Sequence, residues 1–310
     1  MRFLKFNWLY FLISGFLLLL SVFSLFKWGL LLSVDFKGGN LWEISFEEEV
    51  SQEEWGSYTQ EKEEITEVNR LSNGSWLIKS AHTDLETKNS WETEIEEKFG
   101  GFKELRFESL APSLGKDLLT KTLISIGLAV LGILFYISIR FKNRSFGICA
   151  ILAMLHDSVI LLGSFSLLGH FQGLEIDSLF VTAFLTILAF SVHDTVVVFD
   201  GIREISKNHS KVSFEEVANA AIAQTLVRSI NNSMTIIFVL LALFLLGGQS
   251  TKDFSLALLI GTVLGTYSST FVAVPLLLVW SRVFRRSLRL SSKICVNFLV
   301  KLFKRFFEYN

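Results

Sequence analysis

Six apolar runs, each near or above the roughly 20 residues that cross a bilayer, constrain this chain more than any other feature. They extend over Trp8 to Phe26, Leu123 to Ile139, Phe146 to Leu168, Ile176 to Phe199, Leu226 to Leu246 and Phe254 to Trp280. In hydrocarbon every backbone N–H and C=O needs an internal partner, so runs of this length are read as helices. Composition agrees, with 51% apolar residues and 30 Phe beside only 2 Pro. The first run follows Arg2 and Lys5, exceeds a signal-peptide core and has no small-x-small cleavage site after it, which marks an uncleaved anchor.

Charge divides the chain. Asp35 to Asp117 carries 20 acids and 9 bases, net −11, and the remainder carries 10 acids and 20 bases, net +10. Positive residues concentrate in one set of connections: two before the first run, three in Arg140 to Arg144, four in Gly201 to Arg228 and eight after Trp280. The opposite set has none between His170 and Glu175 and only Lys252 after Gly248. The positive-inside rule then puts both termini in the cytoplasm and the acidic segment outside. Cys149 and Cys295 both lie beyond that acidic segment, so no disulfide framework is expected there.

The acidic segment reads as its own α+β unit. Trp42, Ile44 and Phe46 alternate as a strand face, and Ser51 to Glu54 is a capping box ahead of Trp55 and Tyr58. Ile65 to Ser72 and Ser75 to His82 flank Asn73-Gly74, a two-residue hairpin signal. Thr83 to Glu86 is a second capping box, followed by Trp91, Ile95 and Phe99 at helical spacing and a stop at Gly100. Lys103 to Leu110 supplies the last strand, with Leu105 and Phe107 on one face. The order strand, helix, strand, strand, helix, strand is that of a ferredoxin-like domain. The expected organisation is thus a first transmembrane helix in 1–32, the external domain in 33–117, five further membrane helices in 118–284 and a basic amphipathic tail in 285–310. The fold class is a six-helix membrane bundle with a small external ferredoxin-like domain.

Within the bilayer the polar residues are few and grouped. Asp194 lies inside the fourth run, about 9 Å short of its polar exit at Asp200. A carboxylate at such depth costs about 2.5–3.5 kcal/mol on insertion scales, so it is expected to face a bundle interior or a hydrated path. Thr182, Thr186 and His193 share one stripe of that helix, and Arg228, Asn231, Asn232 and Thr235 form a stripe on the fifth. His156 and Asp157 fall near the middle of the third. Antiparallel neighbours would bring Arg228 to the depth of Asp194, either as a static ion pair or as a pair that joins and separates while Asp194 exchanges a proton. His193 and His156 titrate in the useful range or serve as fixed hydrogen-bond partners. Gly261 and Gly265 present a small-xxx-small face on the sixth run, with hydroxyls from Thr266 to Thr270 beyond it and Pro275 placed to bend the helix. After Arg282, Ile294, Phe298, Leu302 and Phe306 recur every four residues against lysines and arginines. That pattern suits an anionic lipid surface better than a nucleic acid. No Ser-His-Asp order, HExxH or phosphate loop marks an enzyme, and no metal-ligand cluster or cofactor motif stands out.

Four blocks give the chain a family likeness: Val34-Asp-Phe-Lys-Gly-Gly39, His156-Asp157, Ser191 to Glu204, and Gln224 to Ser233 with Leu246 to Gly248 and Gly265 to Ser269 beyond. In these it resembles the SecF subunits of bacterial SecD-SecF protein-export complexes, which are similar to RND transporters. The resemblance implies a non-enzymatic subunit that uses proton flow, with protons as coupling ion and no other cofactor, to promote late protein export. It implies Asp194 and Arg228 as members of the proton path, a SecD-like six-span partner supplying a further acid, a SecYEG-type channel, and exported unfolded polypeptide as substrate. His193 stands where the family usually has Asn, Gly201 where it has Arg, and Ala189-Phe190 where it has Gly-Tyr. An RND-type efflux subunit and a non-transporting membrane scaffold are the rival readings.

Overall fold

A computed structural model describes residues 3–62, 64–71, 74–141, 143–208 and 212–281. The basic tail expected at 285–310 lies outside the described residues. Among the described residues six helices are long and apolar enough to span a membrane: Phe3–Lys27, Pro112–Arg140, Arg144–Gln172, Ser178–Lys207, Phe214–Leu246 and Ser250–Ser281. Their regular cores are α1 (Asn7–Lys27), α5 (Pro112–Arg140), α6 (Arg144–Gln172), α7 (Ser178–Asn208), α8 (Phe214–Leu246) and α9 (Gln249–Phe271). The last span continues to Ser281 after an irregular residue at Val272, three positions before Pro275. A proline removes one backbone donor and crowds the preceding turn, which accounts for the break there.

The bundle has a filled centre and a bare rim. In α6, α7 and the last span 56–67% of the most apolar window is buried, against 17% in the first span and α8 and 6% in α5. Small residues set the close crossings. A Cβ on Gly163 of α6 would lie 2.2 Å from Ser21 Cβ of α1, and one turn along Ser24 Oγ donates to Ser166 Oγ at 2.8 Å. Gly261 and Gly265 of α9 abut Ile187 and the Phe190–Ser191 pair of α7, so the small-xxx-small face packs on the fourth span. Helix ends are capped by local chemistry. Ser213 and Glu216 form a capping box on α8, and Gly173 ends α6 in a left-handed conformation.

The acidic unit beyond the bundle is a four-stranded antiparallel sheet with two helices. Its elements are β1 (Gly39–Phe46), α3 (Gln52–Gln60), β2 (Ile65–Arg70), β3 (Trp76–Ser80), α4 (Leu85–Phe99) and β4 (Phe102–Leu110), and the strand order is β2-β3-β1-β4. Trp42, Ile44, Trp55, Tyr58, Trp76, Ile78, Trp91 and Ile95 form a core separate from that of the bundle. Three local expectations are corrected. Asp84, not Thr83, caps α4, its carboxylate accepting from Thr87 N at 2.9 Å, while Thr83 Oγ1 accepts from Asn40 Nδ2. The hairpin closes on Leu71 and Ser75, one residue wider than a two-residue turn, with Gly74 at φ 86°. Leu105 does not join Phe107 in the core: pairing jumps from Glu43↔Arg106 to Ile44↔Glu104, and this bulge leaves Leu105 46% exposed.

The joint between the two units explains the Val34 to Gly39 block. Its short helix α2 (Val34–Lys37) packs against the start of α5, where a Cβ on Gly38 would lie 2.5 Å from Pro112 Cα. Asp35 Oδ2 accepts from both the backbone N–H and the hydroxyl of Ser178, capping α7. Leu32 and Ile176 form a parallel bridge, and Lys79 of β3 reaches Glu67 and Glu175, each at 3.0 Å.

Candidate functional site

Two carboxylates lie inside the bundle, and hydroxyls from neighbouring helices meet them. Asp194 of α7 is 5% exposed, and its Oδ2 accepts from Ser229 Oγ of α8 at 2.6 Å and Ser269 Oγ of α9 at 2.9 Å. Asp157 of α6 is 1% exposed, and its Oδ2 accepts from Ser191 Oγ of α7 at 2.6 Å and Ser268 Oγ of α9 at 2.5 Å. Its other oxygen meets His156 Nδ1 at 2.9 Å. Four spans therefore converge on one polar centre. The adjacent hydroxyls of Ser268 and Ser269 point to different carboxylates because consecutive helical residues differ by about 100°.

Hydrogen bonds to a charged group each contribute about 1.5–3 kcal/mol, which offsets much of the desolvation an ionised carboxyl suffers at this depth. Hydroxyls can also reverse, donating to a carboxylate or accepting from a carboxylic acid, so both protonation states can be accommodated. Among the described residues no group of three or more His, Cys, Asp or Glu could hold a metal ion.

The expected Asp194–Arg228 ion pair is absent within this chain. The reason is helical register: Ser229 faces Asp194, and Arg228, one residue earlier on α8, is turned outward and exposed. Asn231, Asn232 and Thr235 are exposed on the same helix, and Thr182, Thr186 and His193 are exposed on α7. Thr186 Oγ1 donates back to Thr182 O. The residues singled out from sequence thus fall into two sets: Asp194, His156 and Asp157 in the buried centre, and His193, Thr186, Arg228, Asn231 and Asn232 on a polar stripe turned away from it. Of the four serines that bond the carboxylates, Ser268 and Ser269 lie in the hydroxyl run Thr266 to Thr270 read from sequence as cross-helix hydrogen-bond groups, and Ser191 and Ser229 were not singled out. A serine in an apolar run is an ordinary helix-contact residue, and only its facing partner shows otherwise.

Comparison with known proteins identifies the family. The family described as "Protein export membrane protein SecD/SecF, C-terminal" matches residues 90–283. The protein translocase subunit SecF of Thermobaculum terrenum is 41% identical over 305 residues, covering 91% of this chain and 96% of its own. That of Anaerolinea thermophila is 36% identical, covering 88% and 92%. The crystal structure of SecDF from Thermus thermophilus, described as a translocon-associated membrane protein, superposes with a TM-score of 0.81 at 30% identity, over 91% of this chain and 39% of that one. The present chain therefore spans well under half of that longer protein. It belongs to the SecD/SecF protein-export membrane family and is a protein translocase subunit of the SecF type.

Proposed function

We propose that this chain is the SecF-type half of a two-subunit membrane machine that uses the proton-motive force in late steps of protein export. Asp194 exchanges the coupling proton, and Arg228 approaches it from the stripe that a SecD-like six-span partner covers. The observation that carries this reading is the stripe itself: Thr182, Thr186, His193, Arg228, Asn231, Asn232 and Thr235 are exposed on helices of membrane length. Polar and charged groups at that depth are not left against lipid, so a second helical surface with matching polar groups is required. His193 is the group on this face suited to passing a proton between the two halves.

The energy scale fits. One proton crossing 100 mV releases about 2.3 kcal/mol, comparable to one hydrogen bond on a buried carboxylate. Protonating Asp194 gives it one O–H donor and removes its charge, so one of Ser229 and Ser269 must turn to accept and the hold on their helices weakens. The strand order β2-β3-β1-β4 supports a ferredoxin-like reading of the outer unit. The lysine and arginine bias supports an outside location for that unit, with both termini cytoplasmic in a bacterial inner membrane. On this reading the coupled motion reaches an exported, unfolded polypeptide emerging from a SecYEG-type channel, and the basic tail rests on anionic lipid.

The test is gradient-driven export in inverted vesicles carrying Asp194→Asn or Arg228→Met. Both variants should assemble and lose the stimulation given by an imposed proton gradient. Stimulation equal to wild type in both discards the relay, and loss of assembly with normal flux in what does assemble favours a scaffold.

A further inference from the structure

We propose that His156 and Asp157 form a second proton-holding site, tied to Asp194 through Ser268 and Ser269, so that the last span responds to charge at both places. This rests on the proton-coupled reading of Asp194. Two hydroxyls, Ser191 Oγ and Ser268 Oγ, donate to Asp157 Oδ2, and His156 Nδ1 faces its other oxygen at 2.9 Å. In the tautomer that carries its proton on Nδ1, the imidazole donates to Asp157 Oδ1. The other imidazole nitrogen, Nε2, then carries a lone pair inside the bundle. His156 is 6% exposed, and Nε2 has no hydrogen-bond partner.

With Nδ1 turned to Asp157, Nε2 is the ring nitrogen left to take up a proton. The step is simple proton transfer: hydronium gives a proton to Nε2 and leaves water, and the resulting imidazolium is balanced by the carboxylate 2.9 Å away.

The link to Asp194 is physical. Ser268 and Ser269 are consecutive on α9, and Ser191 stands three residues before Asp194 on α7, so the two carboxylates share two helices. A turn of the last span that swings Ser269 away from Asp194 also draws Ser268 off Asp157. Few other ionisable groups face the dyad. On α7 and α8, His193 and Arg228 are exposed on the outer stripe. Tyr267 of α9 is engaged with Tyr10 O and Ser14 Oγ, and α1 turns Ser14, Ser21 and Ser24 inward.

The test uses the complete translocase complex reconstituted in vesicles, with His156→Gln, Ser268→Ala and Ser268→Thr beside wild type and Asp194→Asn. Two quantities are read: the pH midpoint of gradient-driven flux, and proton uptake at histidine followed by NMR of the purified protein. Wild type should show a histidine that takes up a proton as pH is lowered, a titration that His156→Gln removes. His156→Gln should also move the flux midpoint by about one pH unit or more, the size expected when a charge near a carboxylate is lost. Ser268→Ala should shift it too, and Ser268→Thr, which keeps the hydroxyl, should restore it. A wild-type spectrum without that titration, or flux profiles for His156→Gln and Ser268→Ala that superimpose on wild type while Asp194→Asn abolishes flux, overturns the inference. Flux that survives Asp194→Asn instead removes the underlying relay, while the histidine spectrum still reports on the dyad.

Discussion

Gly261→Ala probes the contact that sets the last span against α7. A Cβ there would lie 2.4 Å from Ile187 Cγ1 and 2.6 Å from its Cδ1 and Cγ2. Ordinary contact begins at 3.4 Å, so about 1.0 Å (3.4 − 2.4) of separation is needed. Ile187 is β-branched and 3% exposed, which leaves it one strongly preferred rotamer in a helix, so the helices rather than the side chain must give. Moving the last span outward by that amount stretches the 2.9 Å Ser269–Asp194 hydrogen bond to about 3.9 Å, beyond any useful bond. Overpacking costs about 1–3 kcal/mol, and the lost bond to a buried carboxylate adds about 1.5–3. Thermal unfolding of the purified complex in detergent should show this loss, together with weakened gradient-driven export. The decisive measurement is a double-mutant cycle with Ile187→Ala, which deletes all three clashing atoms at its own cavity cost. A favourable coupling of about 1–3 kcal/mol is expected. Additive effects, or a single variant with unchanged melting and export, would refute the packing account.

Two further predictions concern the outer unit and its joint. Burial raises the proton affinity of Glu175, against the opposing effect of Lys79. Burial also acts to raise Glu67, but hydrogen bonds from Asn69 and Lys79 outweigh it and hold that carboxyl below its ordinary value. On acidification Glu175 therefore protonates first, and folding gains from its proton uptake as pH falls through the raised value. The support from Glu67 persists until pH drops through the lowered one. Amide exchange, corrected for its intrinsic rate, should slow in 173–177 under mild acid while exchange in β3 is unchanged, and Lys79→Met, which removes the cation opposing the rise, should enlarge the slowing. Trp55→Ala empties the centre of the aromatic cluster formed with Phe46, Tyr58, Trp76 and Phe99. It should destabilise the outer unit by about 3–5 kcal/mol, read from near-ultraviolet circular dichroism, while helical signal from the separate membrane core persists.

The six spans and the order of elements in the outer unit are legible in the residues, because run length and periodicity are properties of one segment at a time. Errors arose where a second segment decides. Asp84 displaced Thr83 as cap because Thr83 is taken by Asn40 from another strand. Leu105 left the core because its pairing with β1 carries a bulge. Arg228 was matched to Asp194 by depth, and depth is correct to within one residue, but one residue is about 100° of helix.

Sequence by itself therefore determined that acids would lie within the membrane, on which helices, and which polar residues share a stripe, since helical geometry fixes angles within a helix. Tertiary structure alone decided which stripe turns inward. That rotation depends on where Gly261 meets Ile187 and Gly163 meets Ser21, contacts between residues far apart in the chain. They bring Ser229, Ser268 and Ser269 to the carboxylates and leave Arg228 facing out.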